Sequence, residues 1–322
     1  MQADPRFVGL PPEFWANIRL ISQEIGYTER GRRGFAGARE EPRIKIPEPL
    51  AVKTAFQRLG LSYNHLFDER DQSTKLWRAA TDYFEHRANV LQKFVEPALM
   101  DAEEARRVFE EVKRTYSNSA PSQMNKQSGD KKRPAYLTGI VNTLLAEHLG
   151  DSPCDFDPRQ LTVVTREGAP FRTLSRRIDG AFPGPVDPVA VWEIKEYYHT
   201  TTFGSRVADG VYETLLDGWE LNESASAAAV LGAAKPVRHL LIVDARYTWW
   251  VMGRSYLCRI VDMLHMGFVD EVLFGREVVS RLPVIASEWK QAWTRRTAEA
   301  RGGVSPAVRT GRASRRKGGK PG

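Results

Sequence analysis

The chain is 322 residues long, 42% apolar and 27% charged, with a formal net charge of +7. Such a length buries a substantial core in one large domain or two smaller ones, and its longest apolar runs are far too short to span a membrane. Cys154 and Cys258 are the only cysteines and lack CxxC spacing, which offers no disulfide or zinc framework and fits a reducing cytoplasm. The start, "MQADPRFVGLPPEFW", has no basic stretch followed by an apolar core, so no secretory signal is expected.

The excess charge is local. Residues 301–322 carry Arg301, Arg309, Arg312, Arg315, Arg316, Lys317 and Lys320 with no acid, so the rest of the chain balances to zero. A Gly/Arg/Ser/Lys segment of this kind reads as a disordered basic tail. It is either a solubilising extension or a loose arm for polyanions.

In chain order, residues 1–118 read as a helical region. "PPEFWANIRLISQEIG" places Phe14, Ile18, Ile21 and Ile25 on one face. "LAVKTAFQRLG" gives a short helix with Val52, Phe56 and Leu59 inward, and a longer helix through residues 73–96 is expected to end before Pro97. Asp101 and Glu104 form a capping pair for a further helix. This region suits packing, DNA recognition or dimerisation. Residues 119–133 read as a basic polar linker or loop, in which Lys126, Lys131, Lys132 and Arg133 are candidate phosphate contacts.

From residue 134 to 300 the pattern becomes α/β. A helix over 135–150 carries Leu137, Ile140, Val141, Leu144, Leu145 and His148 along one stripe. "LTVVTRE" and "FRTLSRRID" read as strands, "GAFPGPVDP" as a turn with two Gly and three Pro, and "VAVWEIK" as a further strand. The helix "FGSRVADGVYETLLDGWEL" is expected to turn Val207, Val211, Leu215 and Trp219 inward, and Arg206, Gly210, Glu213 and Asp217 outward. "VRHLLIVDA", a helix through "WVMGRSYLCRIVDMLH" and "DEVLFG" complete an α-β-β-β-α-β-α-β order.

Two acids and a lysine interrupt this apolar pattern. Alternation puts Ser175, Arg177 and Asp179 on one face of the first run, and Val191, Glu193 and Lys195 on one face of the second. A hairpin between them gathers Asp179, Glu193 and Lys195 at one end of a sheet. Close carboxylates repel unless a proton or cation relieves them, and magnesium prefers oxygen donors. Asp179 and Glu193, with the backbone carbonyl of Ile194, can supply such donors. Lys195 can orient a water, assist its deprotonation or offset charge on a phosphate. The plain alternative is a solvated strand end with an ordinary Glu–Lys pair.

The segments "RID" at 177–179 and "WEIK" at 192–195, with thirteen residues between the two acids, resemble the signature of the PD-(D/E)XK nuclease superfamily. Ile178 stands where the signature has Pro. The resemblance covers roughly residues 134–275. It implies a restriction-endonuclease-like αβββαβ core, a mixed central sheet flanked by helices, behind the N-terminal helical region. By carry-over Asp179 and Glu193 bind Mg2+ (Mn2+ as substitute) and Lys195 is the catalytic lysine. Glu147 on the preceding helix is the possible accessory acid, and Arg177 can hold a substrate phosphate. Glu213 reads as solvated, His199 as a core or rim residue, and Trp289 and Trp293 as a packing stripe rather than a base-stacking pair.

A stand-alone chain of this kind resembles a type II site-specific restriction endonuclease of the bacterial cytoplasm. That implies double-stranded DNA as substrate, a homodimer, and a cognate DNA methyltransferase encoded nearby. The alternatives are a repair, recombination or mobile-element nuclease of the same fold, and a non-cleaving nucleic-acid-binding protein on a nuclease-like scaffold.

Overall fold

The computed structural model describes residues 1–29, 43–116, 124, 133–199, 204–230 and 236–302, with side chains described as far as residue 299. Most of the 119–133 segment, including Lys126, Lys131 and Lys132, lies outside the described residues. So does the tail from residue 303 onward.

The N-terminal part comprises α1 (Pro12–Ile25), α2 (Pro49–Arg58) and α3 (Lys75–Val90), which close around Phe14, Ile18, Val52, Phe56, Trp77, Tyr83 and Phe84. The Thr74 hydroxyl caps α3 by accepting from the Trp77 amide. Two expectations need correcting here. Leu59 is exposed, because it sits at the C-cap of α2, past the last inward turn. The helix also does not stop before Pro97. It runs through a π-helical turn (Leu91–Val95) into the short α4 (Glu96–Ala98), whose first turn can accept a residue with no N–H to donate.

Helix α5 (Ala102–Thr115) opens with the expected capping box: Asp101 accepts from the Glu103 and Glu104 amides, and Glu104 accepts from the Asp101 amide. It packs on α6 (Tyr136–Leu149), with Phe109 over Gly139 so closely that a Cβ there would lie 2.3 Å from the ring. By packing, α5 belongs with the α/β part that follows.

That part is a mixed α/β arrangement. Strands β3 (Gly180–Phe182), β4 (Ala190–Glu196), β5 (Arg238–Asp244) and β6 (Glu271–Phe274) form one sheet in that order. The first pair is antiparallel and the next two are parallel. On one face, Ala190, Trp192, Leu240 and Ile242 meet α6 and α9 (Glu277–Gly302). On the other, Leu241 and Val243 meet α7 (Ser205–Val230) and α8 (Arg254–His265). Both crossovers step the same way along the sheet, which puts α7 and α8 on one side of it. Trp289 stacks on Trp192 at 5.7 Å and Trp293 meets Phe182 edge-on, so both tryptophans pack. No described helix is long and apolar enough to cross a membrane.

The strand sequence differs from expectation in one respect that matters. Strands β1 (Val163–Arg166) and β2 (Ala169–Thr173) pair with each other in a separate two-stranded sheet. Residues 174–179 then leave the ladder, and the partner of β4 is the Gly180–Phe182 segment read from composition as a turn. Gly180 lies opposite Trp192, whose indole occupies the space a Cβ would need (2.0 Å). The residue that looks like a turn former is there for close approach.

One buried ionic cluster ties the N-terminal helices to α8. Arg87 donates from Nη1 to both oxygens of Asp262 (2.9 and 3.0 Å) and from Nη2 to Ser22, while the Tyr83 hydroxyl donates to Asp262 at 2.6 Å. Arg87 and Asp262 are both buried. Removing one partner strands the other in a low dielectric, so Asp262→Ala should cost about 3–5 kcal/mol in urea unfolding. A loss below about 1 kcal/mol would show that the cluster does not hold these elements together.

Candidate active site

Strand β4 lies between β3 and β5 and is buried on both faces, so every charge on it must be answered by another side chain. Glu193 and Lys195 alternate onto the α7 side. The Glu193 side chain has 0% exposure and that of Lys195 9%. Lys195 Nζ donates to Glu193 Oε2 at 2.8 Å and to Glu213 Oε2 on α7 at 3.0 Å. Room for it comes from Gly210 of α7, where a Cβ would stand 3.2 Å from Lys195 Cδ and 2.8 Å from the Tyr197 hydroxyl.

Asp179 precedes β3, one residue before the Gly180–Trp192 pair, and therefore faces Glu193. The two acids are joined reciprocally through backbone amides. The Asp179 N–H donates to Glu193 Oε1 (3.2 Å), and the Ile194 N–H donates to Asp179 Oδ2 (2.8 Å). A strand residue directs its N–H and C=O to the same edge, so the Ile194 carbonyl lies on the Asp179 side of β4 as well. The expected meeting of Asp179, Glu193, Ile194 and Lys195 at one sheet end is present in this geometry.

The arginine is another matter. Alternation pointed to Arg177, but residues 174–179 are not strand, and Arg177 is exposed. Arg176 enters the cluster instead. Its Nη1 lies 3.0 Å from Glu193 Oε1 and 2.5 Å from Asp217 Oδ2, and its Nη2 lies 3.2 Å from Glu193 Oε2 and 3.4 Å from Glu213 Oε2. The segment is held by a ladder of acids along α7: Glu220 accepts from the Ser175 amide and hydroxyl, and Glu223 pairs with Arg172.

Three α7 residues expected outward thus belong to the site, among them Gly210, which is buried against Lys195. Glu213 is half exposed and bridges both cations, and Asp217 is fully buried. Trp219, expected inward, is 50% exposed. The inward face of α7 runs through Val207, Gly210, Val211, Thr214, Asp217, Gly218 and Leu221, and a hydropathy count cannot see an inward acid.

Glu147 is not brought to the cluster. Helix α6 packs on the opposite face of the sheet and meets the end of β4 through Thr138, whose amide and hydroxyl donate to Glu196. Glu147 lies nine residues further along the helix, about 13 Å away along its axis. His199 packs at the rim against Tyr136, and Arg133 lies near enough to help burial lower its pKa.

The electrostatics limit the roles. Burial alone would raise the Glu193 pKa and lower that of Lys195, but their mutual attraction, with Arg176 acting on Glu193, reverses both. Glu193 is held ionised, and Lys195 is held firmly as an ammonium. A lysine in that state donates hydrogen bonds and offsets negative charge; it does not accept a proton from water. Asp217 behaves differently. Burial pushes its carboxyl up to about 7 despite Arg176, and its Oδ1 has no hydrogen-bond partner.

Among the described residues no three His, Cys, Asp or Glu side chains are gathered as a metal cage. The donor set still fits a hard divalent cation in charge and chemistry. Three carboxylates (Glu193, Glu213, Asp217) pair with two cations (Arg176, Lys195), Asp179 adds its charge beside Lys195, and Asp217 Oδ1 is an orphaned buried oxygen. Asp179 and Glu193, with the Ile194 carbonyl, are the groups placed to hold it.

A mixed sheet flanked by helices, with a buried Glu–Lys strand paired to a short strand that Asp179 precedes, defines the class of structure. Residues 100–289, more than half of the chain, match the Domain of unknown function (DUF7687), and the protein belongs to that family. Residues 1–94, carrying α1 to α3, match the Domain of unknown function (DUF7690). No curated protein and no solved structure matches the chain. All the clustered residues lie within the first of these matches.

Asp217 provides a test of the site's electrostatics. Its ordinary pKa of 3.8 rises to about 7 on folding, so the unfolded chain releases this proton first and the carboxyl weighs against folding as pH rises between those values. The penalty is absent below about pH 4 and complete above about pH 7. Asp217→Asn should therefore gain stability relative to wild type across that window, read by urea unfolding at several pH values. A pH-independent difference would contradict the assignment.

Proposed function

We propose that the protein is a metal-dependent endodeoxyribonuclease, most simply a type II site-specific restriction endonuclease. One observation carries the reading: Asp179 and Glu193 cross-brace the β3–β4 hairpin while Lys195, on the same face as Glu193, is held as an ammonium beside it. This is the juxtaposition that the PD-(D/E)XK resemblance calls for, and the sheet order agrees with the inner strands of that core. The separate β1–β2 hairpin makes the agreement partial.

In this reading Asp179, Glu193 and the Ile194 carbonyl would hold Mg2+, with Mn2+ as substitute. A bound cation would neutralise a phosphate oxygen and acidify a water. The chain's own residues do the rest. Glu193 stays ionised because two cations face it, and Lys195 directs its N–H groups at the developing charge. Glu213, which also holds Lys195, takes the place first given to Glu147. Double-stranded DNA is the substrate. A homodimer would place one cluster on each strand, and the bacterial cytoplasm with a cognate methyltransferase nearby is the matching setting.

The experiment is incubation of the purified full chain with phage DNA and Mg2+. Discrete bands are expected, with none in EDTA. Asp179→Asn, Glu193→Gln and Lys195→Met should each lower the cleavage rate by about 10²–10³ or more while circular dichroism stays native. A smear in place of bands would favour a shape-selecting repair or mobile-element nuclease. DNA binding without cleavage would favour the non-cutting scaffold. Undiminished cutting by folded Asp179→Asn would remove the site assignment.

A further inference from the structure

We infer that Arg176 is a built-in occupant of the cation seat, holding Glu193 while no metal is present and yielding it to a divalent ion, with Asp217 as its second berth. The inference rests on the nuclease reading and adds to it a residue that the superfamily signature does not contain.

Both cations on Glu193 neutralise it, but they are not equivalent. Lys195 is two residues along the same strand, so the ladder anchors its stem beside Glu193, and its ammonium donates to Glu193 Oε2 at 2.8 Å. Arg176 comes from the non-strand segment 174–179, and its side chain remains 23% exposed. Its fork faces both Glu193 oxygens, at 3.0 and 3.2 Å, and so covers the atoms a metal would need. A divalent cation and the guanidinium cannot share those lone pairs.

Displacement is possible only if the arginine has somewhere to go, and the structure contains that place. Asp217 already accepts from Nη1 through Oδ2, and its Oδ1 is buried with no partner. A guanidinium released from Glu193 can take both Asp217 oxygens as a bidentate pair, which would satisfy the orphaned atom. Glu213, half exposed, is the other carboxylate within its reach. Metal entry then exchanges a monovalent counter-ion on Glu193 for a divalent one, without leaving Arg176 or Asp217 unpaired.

The test is Mn2+ binding to the full-length protein, without DNA, by isothermal titration and by loss of the free-ion electron spin resonance signal. Removing the occupant should tighten binding: Arg176→Gln is expected to bind Mn2+ at least tenfold more tightly than wild type. Arg176→Lys keeps the charge but has no fork to cover both oxygens. It should bind several-fold more tightly, and it carries the test alone if the glutamine variant does not fold. Affinities equal to or weaker than wild type in the folded variants, with wild type binding Mn2+ and cutting DNA, would overturn the inference and leave the nuclease reading standing. No Mn2+ binding and no cleavage by any of the proteins would overturn both.

Discussion

A carboxylate with no solvent exposure, on an interior strand of a sheet, is the constraint on which this structure is arranged. Water would solvate Glu193 far better than a protein interior does, so its place on β4 is tolerable only with close cations and hydrogen bonds. Lys195 two residues on, Arg176 from the incoming segment and the Asp179 amide together supply them. Each of these then imposes its own condition. Lys195 needs a glycine opposite it on α7, and Arg176 needs the α7 acids that keep the 172–179 segment against the helix. Much of the local architecture follows from one buried charge.

The polar character extends to the other face at the same end of the sheet. Glu196 meets the first turn of α6, and Asp244 at the end of β5 accepts from the Met100 and Ala245 amides and from the Tyr198 hydroxyl. Burial pushes both carboxyls up to about 7. Asp244 thereby fixes the start of α5 against the sheet, and the Arg87–Asp262 pair fixes α3 against α8. Helices α3 and α5 are thus anchored by buried ionic or polar contacts, which demand a specific geometry where apolar packing would tolerate several.

What the residue pattern revealed and what it concealed have the same physical origin. Strand β4 was legible because Ala190, Trp192 and Ile194 alternate with Val191, Glu193 and Lys195, and a strand buried on both faces makes the two charges conspicuous. The helices of the N-terminal part were legible from their apolar spacing. Arg176 was missed because alternation was carried through residues 174–179, which have left the ladder; a shift of one residue exchanges Arg177 for Arg176. Asp217 and Glu213 were read as solvated because hydropathy assigns acids to water, whereas α7 turns them to the cations of β4 and the segment before β3. The Gly-Ala-Phe strand was hidden by prolines on its C-terminal side and by a glycine that close approach to Trp192 requires.

The energetics of burial also weigh between an enzyme and a passive scaffold. Replacing a buried ion cluster by apolar side chains of similar volume is often neutral or stabilising by about 1–4 kcal/mol. A protein that only had to hold the β3–β4 hairpin against α7 would gain by that exchange. This chain instead keeps Glu193 and Asp217 fully buried, one of them with an unsatisfied oxygen, beside Arg176 and Lys195. Buried charges with shifted pKa values cluster at functional sites, although structural ion-pair networks hold them as well. The same reasoning separates the two cations: Lys195 belongs to the strand that carries Glu193, while Arg176 reaches it from outside the ladder and is held by partners on two elements, β4 and α7.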